Sequence, residues 1–308
     1  MRFTIFQDSL IGGRRNNQDR VAHSFSKDAL LMVLADGMGG HARGEVAAQI
    51  TATMITELFQ EQARGALRRP LTFLTEAFEA AHRAISDYAD RHNLLESPRT
   101  TCVACVVQHD RAYWAHSGDS RLYMFRKGRL VARTRDHSRV QRLLDAGMLT
   151  ERDAATHPDR NRIYSCLGGV LPPRIDLSPE TPVQEGDTLL LSTDGFWTMH
   201  SADQLAAELD LHPITEALPR LLEEACRRGG DEADNASLVG MTWESHGVDA
   251  EKENKSISTA TMPLDAFTTT FSSTSRKGRL EPGDDITDEE IDRTVAEIQT
   301  AIKKYSRT

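Results

Sequence analysis

Four aspartates stand beside apolar runs and next to glycine or asparagine: Asp36, Asp119, Asp194 and Asp234. Two of them repeat one design. The run 30–35 (Leu-Leu-Met-Val-Leu-Ala) ends in Asp36-Gly37 and the run 188–193 ends in Asp194-Gly195, so each reads as a buried strand delivering a carboxylate at its end. Carboxylates drawn close together cannot all ionise without a compensating cation, and hard oxygen ligands select Mg2+ or Mn2+ over zinc. A glycine after Asp36 lets the Gly37 carbonyl serve as a further oxygen ligand. Two ions sharing a carboxylate lower the pKa of a shared water and supply hydroxide at neutral pH, which suits phosphate-ester hydrolysis best. For the phosphate itself, Arg14 lies five residues before Asp19 on a polar loop, with Arg15 as an alternative guanidinium fork. Asp231 is close enough in sequence to rival Asp234.

The elements that must position these groups follow from periodicity. Residues 1–10 alternate as an edge strand, and a polar loop covers 14–19. Helices are expected from 44 to about 62, with Val46, Ile50, Met54, Ile55 and Phe59 on one stripe, and from about 70 to 92, with Leu71, Leu74, Phe78, Ala81, Ile85 and Tyr88. Four short strands, 102–107, 111–116, 122–125 and 129–132, are separated by turn residues and predict an antiparallel meander. A helical stretch over 138–154, a strand leading to Asp194, helices over 202–209 and 214–228, and a strand over 237–243 complete the main body. Residues 245–285 read as a Ser/Thr-rich linker without a core pattern. Thr287-Asp288-Glu289-Glu290 is a capping box opening an amphipathic helix over 286–308, which is expected to dock on its own domain, on a second copy or on a partner.

Composition sets outer bounds. The chain has 308 residues and a formal charge of −9, which gives no basic face for nucleic acid. No apolar stretch approaches the roughly 20 residues of a membrane span, and the first residues lack the pattern of a secretory leader, so a cytoplasmic location is expected. Cys102 and Cys105 sit three apart on a strand, which sends their thiols to opposite faces and favours packing over metal.

Seven motifs carry a family resemblance. Arg14-x-x-Asn17-Gln18-Asp19, Asp36-Gly37-Met38-Gly39-Gly40-His41-x-x-Gly44-Glu45, Gly118-Asp119-Ser120-Arg121, Asp136-His137-Ser138, His157-Pro158-x-Arg160-Asn161, Asp194-Gly195 and Asp234-Asn235 occur in this order over residues 1–243. The set resembles that of the metal-dependent protein serine/threonine phosphatases of type 2C, in their bacterial form. The resemblance implies an α+β fold, a four-layer αββα sandwich of two packed antiparallel sheets with helices on both outer faces. It implies a catalytic domain over 1–244 with a flap at about 136–169.

Carried over to this chain, the resemblance makes Asp36, Asp194 and Asp234, with the Gly37 carbonyl, the ligands of two Mn2+ or Mg2+ ions. Asp19 stands near the second ion, Asp119 joins Asp194 at a weaker third position, and Arg14 holds the substrate phosphate. The implied reaction is hydrolysis of phosphoserine and phosphothreonine on proteins by a dinuclear metal-activated hydroxide, opposing a cognate bacterial Ser/Thr kinase and acting on that kinase's substrates. Two departures stand out: Met38 occupies a place where animal members carry a histidine proposed as the general acid, and residues 164–166 depart from the usual wording of the flap. They motivate an alternative, a catalytically silent phosphoprotein-binding or scaffold module. His41, His137 and His157 read as structural hydrogen-bonding residues, and Met38 and Trp197 as packing that shields the site.

Overall fold

The stretch Ala29–Asp36 explains the layering. Residues 29–35 are all buried, and they divide by parity: Ala29, Leu31 and Val33 enter one apolar cluster, while Leu30, Met32 and Leu34 enter another. A strand feeding two cores must lie inside a sheet covered on both faces. A computed structural model, which describes residues 1–38, 43–244, 256–264, 266–272 and 296, shows that arrangement.

The first half of the chain runs β1 (Arg2–Leu10), β2 (Asp19–Phe25), β3 (Ala29–Asp36), α1 (Gly44–Gln62), α2 (Pro70–Arg91), β4 (Cys102–Gln108), β5 (Arg111–Ser117), β6 (Arg121–Arg126) and β7 (Arg129–Arg133). Two short helices follow, α3 (Arg139–Asp145) and α4 (Glu151–Ala155), then β8 (Asp176–Leu177), β9 (Thr181–Pro182) and β10 (Thr188–Ser192). The remainder is α5 (Asp194–Trp197), α6 (Ala202–Leu211), α7 (Ile214–Gly229), β11 (Ala236–Glu244), β12 (Ile257–Ser258) and β13 (Thr268–Ser272).

One sheet has the order β12-β1-β11-β10-β6-β7 and the other β13-β2-β3-β4-β5-β8, with β9 also on β5. All the strand pairings are antiparallel. Three apolar cores separate four layers. Helices α1 and α2 cover the second sheet through Ile50, Ile55, Phe59, Leu74, Phe78 and Ile85. The sheets face each other through Val21, Leu34, Val103, Leu122, Leu191 and Val239. Helices α6 and α7 cover the first sheet through Leu205, Leu218 and Leu222. The αββα sandwich expected from the resemblance is therefore the observed fold.

Several local expectations change. The four-strand meander is split, because β4 and β5 belong to one sheet while β6 and β7 belong to the other; the chain changes sheets at Gly118-Asp119-Ser120. Strand β1 is no edge, since it lies between β11 and β12. Strand β2 fell within no expected strand. The helical stretch over 138–154 is two helices, capped by the Ser138 and Thr150 side chains and interrupted at Gly147, whose φ is +67°. Cys102 and Cys105 do point into different cores, the first under the helices and the second between the sheets.

The largest difference concerns the expected linker. Residues 257–258 extend the first sheet beside β1, and 268–272 extend the second beside β2. Between them, buried Thr259 bonds the Lys27 carbonyl at 2.6 Å, and Phe267 meets Phe59 edge to face at 6.3 Å. The segment therefore straps one side of the sandwich. The expected helix over 286–308 lies outside the described residues except for Ala296. Ending the chain after Glu244 should remove these contacts and lower the thermal midpoint by about 2–8 °C, as loss of a half-buried aromatic and a few edge bonds would; a passive linker would leave the midpoint of a thermal melt unchanged.

Candidate metal centre

The carboxylates gather where the layer between the sheets ends. In the β2–β3 register Val21 pairs with Leu34, and both face the opposite sheet; two steps on, Asp19 pairs with Asp36 on the same face. In β11, Val239 and Met241 face the same layer, so Ser237 does too, and its hydroxyl donates to Asp19 Oδ2 at 2.6 Å. The apolar core thus gives way to acid within one strand repeat.

The ligand candidates are held by hydrogen bonds to their backbone or side chains. The Asp36 carbonyl accepts from Thr101 N at 2.9 Å and from Thr100 Oγ1 at 2.8 Å. Asp194 is not the end of a strand as expected; it opens α5, two residues beyond β10. Asn235 N donates to Asp234 Oδ1 at 2.8 Å, and the Asn235 side chain joins Gln18 N, the Ile11 carbonyl and the Asn16 carbonyl. On the turn between the sheets, the Asp119 carbonyl accepts from Trp197 Nε1 at 3.0 Å.

The two Asp-Gly pairs owe their glycines to packing. A Cβ at Gly37 would lie 2.5 Å from Gly44 backbone atoms, and one at Gly195 would lie 2.1 Å from the Asn235 carbonyl oxygen. These close approaches draw the 194 and 234 turns together. The Gly37 carbonyl lies between the bonds Thr101 N to Asp36 O and Met38 N to Arg99 O and takes part in neither.

The acids perturb one another's ionisation, although the ligand-atom trio that lies within 4.8 Å among the described residues is a different one, His116, His137 and Asp176. Asp19 is pushed up to about 8 from an ordinary 3.8 by burial and by Asp194 and Asp234, with the Ser237 hydrogen bond opposing. Asp36 is raised well above the usual range by burial, then by Asp19, Asp194, Asp119 and Asp234. Burial and then Asp194 raise Asp119, and burial and then Asp234 lift Asp194 to about 6. Asp19 and Asp119 are buried, whereas Asp36, Asp194 and Asp234 keep part of their surface exposed. Each of Asp19, Asp36, Asp119 and Asp194 thus feels at least one of the other acids, and Asp234 acts on Asp19, Asp36 and Asp194. Such a donor set, all carboxylate oxygen with a carbonyl beside it, fits hard divalent cations.

The protein phosphatase 2C family model matches residues 7–241. The chain belongs to this family. It is 35% identical over 229 residues to the serine/threonine protein phosphatase PstP of Mycobacterium tuberculosis, an alignment covering 73% of this chain and 42% of that protein. The chain thus spans less than half of that relative's length. It superposes on the Streptococcus agalactiae serine/threonine phosphatase with a TM-score of 0.70 at 32% identity, covering 79% of this chain and 100% of the other. The catalytic domain of PstP, solved in complex with two manganese ions, matches with a TM-score of 0.67 at 31% identity, over 79% of this chain and 99% of that domain.

Asp19, Asp36, Asp119, Asp194 and Asp234 converge. Asp231 sits exposed on the 3-10 turn over Gly230–Glu232, and it is Asp234 whose charge raises Asp19, Asp36 and Asp194. Arg14 reaches the cluster and donates to Asp234 Oδ2 at 2.8 Å. Trp197 does more than pack: besides holding the Asp119 carbonyl, its ring carries the Arg121 guanidinium at 3.4 Å. Arg121 in turn grips Asp136 with bonds of 2.8 and 2.7 Å, tying the start of the flap to the sheet. Asn235 belongs to the Asp234-Asn235 motif, whereas Ser237 carries no signal beyond lying shortly after it. His157 Nδ1 accepts from Asp159 N at 3.0 Å, a loop contact away from the acids. His41 lies outside the described residues.

The raised carboxyls make a pH signature. With folded values above the unfolded 3.8, the folded protein holds protons that the unfolded chain releases, so their stabilising share is complete below about pH 4 and is lost as pH rises through about 6 and about 8. In chelator, the thermal midpoint should therefore fall across that window. Saturating Mn2+ should abolish the fall, since a cation replaces the protons; parallel melts at stepped pH, with EDTA or with Mn2+, check this.

Proposed function

We propose that this chain hydrolyses phosphoserine and phosphothreonine on proteins with two Mn2+ or Mg2+ ions, in the cytoplasm, opposing a Ser/Thr protein kinase. The observation that carries the reading is the convergence of Asp19, Asp36, Asp119, Asp194 and Asp234 at one open end of the inter-sheet layer. Asp36, Asp194 and Asp234, with the Gly37 carbonyl, are the core ligands in this reading. Asp19 stands beside the second ion and Asp119 serves a weaker third position. Bound ions supply Lewis acidity toward a phosphoryl oxygen and a water made acidic enough to be a nucleophile near neutral pH. The catalytic domain is taken as 1–244.

The chain's own residues bind and orient. Arg14, more than half exposed and in contact with Asp234, is placed to capture two phosphate oxygens with its planar fork. Apolar side chains face solvent in the flap and just past its end, with Met148 at 71% exposure, Val170 at 91% and Leu171 at 78%. These offer a surface for the residues around a phosphorylated side chain. No helix among the described residues is long and apolar enough to cross a membrane. The complete acidic set gives no support to the silent-module alternative.

Activity on p-nitrophenyl phosphate and on phosphothreonine peptides should require Mn2+ or Mg2+ and disappear on chelation. Asp194→Asn should lower kcat/KM more than about a hundredfold; full activity in that variant would remove the site assignment. Arg14→Ala should raise KM by about tenfold or more, with Arg14→Lys recovering part of the loss, because an ammonium restores charge without the bidentate fit.

A further inference from the structure

His137 belongs to none of these roles, yet it is only 1% exposed and sits at the root of the flap. Its main-chain N–H donates to the Gly118 carbonyl at 2.8 Å, and Gly118 N donates to His137 Nδ1 at 3.2 Å. One residue therefore grips both polar groups of Gly118, the residue immediately before Asp119. Gly118 stands at φ +116°, and a Cβ there would lie 2.5 Å from Thr101 Cβ, so the turn has a single cramped conformation. It is also where the chain passes from one sheet to the other, between the end of β5 and the start of β6, outside both ladders. On the far side of Asp119, Trp197 holds the next carbonyl.

The ring of His137 is itself braced. Gly118 N–H aimed at Nδ1 assigns the imidazole proton to Nε2. That atom lies 3.2 Å from Asp176 Oδ2, off the line of a good hydrogen bond. His116 stacks on the ring at 4.7 Å between centroids, and its own Nε2 donates to the Arg135 carbonyl at 2.7 Å. His116, His137 and Asp176 thus place three donor atoms within 4.8 Å of one another, the spacing of a metal trio. The Gly118 amide argues against a cation there, because it requires the His137 lone pair at Nδ1 and leaves a proton facing the other two atoms. Arg174 moreover bonds both Asp176 oxygens, at 2.8 and 3.1 Å. The flap is joined to the same residue, since Tyr164 N donates to the His137 carbonyl at 2.8 Å.

We infer that His137 is a positioning residue for Asp119: through its two bonds to Gly118 it fixes the direction of the Asp119 carboxyl toward Asp194 and Asp36, and it ties cation binding at Asp119 to the seat of the flap. The inference rests on the reading of Asp119 as a cation ligand. It separates the two halves of the imidazole. The Nδ1 half aims Asp119, and the Nε2 half only braces the ring.

The test uses the full chain and calorimetric titration with Mn2+, alongside kcat and KM on p-nitrophenyl phosphate. Asp119→Asn should lose the weakest Mn2+ step. His137→Gln, whose amide reaches the Nε2 position, should weaken that same step by about 10–100-fold and leave the tighter steps in place. His137→Asn, whose carbonyl oxygen can stand where Nδ1 accepts, should stay within about threefold of the wild type. Asp176→Ala, which unbraces a ring at a partly exposed site, should give an intermediate loss at the same step and guards against a His137 variant that fails to fold. The inference is overturned if Asn and Gln behave alike, or if all Mn2+ steps shift together with the thermal midpoint. If Asp119→Asn leaves every Mn2+ step unchanged, the reading of Asp119 as a ligand fails instead, and with it the basis for this inference. Stoichiometric Zn2+ bound to the wild type and lost in His116→Ala would overturn the proton assignment.

Discussion

The carboxyls of Asp19, Asp36, Asp119, Asp194 and Asp234 repel one another at the end of a dry layer, and the surrounding architecture holds that repulsion in place. Two unit charges about 4 Å apart repel by about 4 kcal/mol at an effective dielectric of 20. A few such pairs rival the whole stability of a domain, about 5–15 kcal/mol. Left to themselves the acids would part or take up protons, and burial with mutual repulsion raises Asp19, Asp36, Asp119 and Asp194 in the direction of the second response. What prevents the first is a backing of three apolar cores, in which strands β3, β4 and β10 are buried throughout or nearly so. In the proposed reading a cation would take the place of those protons.

Five acids from four separate parts of the chain have to meet, so the registers between strands and between sheets carry the chemistry. Asp19 is set opposite Asp36 by a ladder, and Ser237 reaches Asp19 from the opposing sheet. Asn235 ties the loop before β2 to the turn before β11 through Gln18 N and two carbonyls. The Asp119 turn is held from the flap by His137 and from α5 by Trp197. The Asp19–Asp36 pairing lies within one sheet, whereas the Ser237 and Asn235 bonds join parts of the chain that belong to different sheets. The site is consequently a property of the sandwich as a whole and not of any one loop.

This dependence explains what could be read from the sequence. Helices α1 and α2 announce themselves because a 3.6-residue stripe is local, and the Asp-Gly ends of two apolar runs mark Asp36 and Asp194 for the same reason. Strand β2 escapes, although all seven of its residues are buried, because it includes Asp19, Arg20, His23 and Ser24, whose burial is made tolerable by partners elsewhere. The passage between sheets at Gly118-Asp119 looks like a hairpin, since both need the same turn residues. Ser237 and Asp19 lie 218 residues apart, and no spacing rule links them. The strap at β12 and β13 is invisible for another reason: edge strands bind through backbone groups, so a Thr-rich stretch can join a sheet with no apolar alternation. The ordered motif set recovered Asp19 and Arg14 where residue chemistry alone left them open.

Two arginine–aspartate pairs beside the site show how the same chemistry serves opposite ends. Arg14 meets Asp234 at 2.8 Å with side chains 56% and 43% exposed, and an ion pair that wet contributes little to stability. In the proposed reading it would give way to a cation on Asp234 and a phosphate on Arg14 at small cost. Arg121 meets Asp136 at 2.7 Å with side chains 14% and 8% exposed, and the guanidinium is also covered by Trp197. Breaking that pair would leave two charges buried without compensation. The first pair is a placeholder at the mouth of the site and the second a rivet beneath the flap. Their difference in burial, more than their chemistry, is why the proposed phosphate contact falls to Arg14 and not to Arg121.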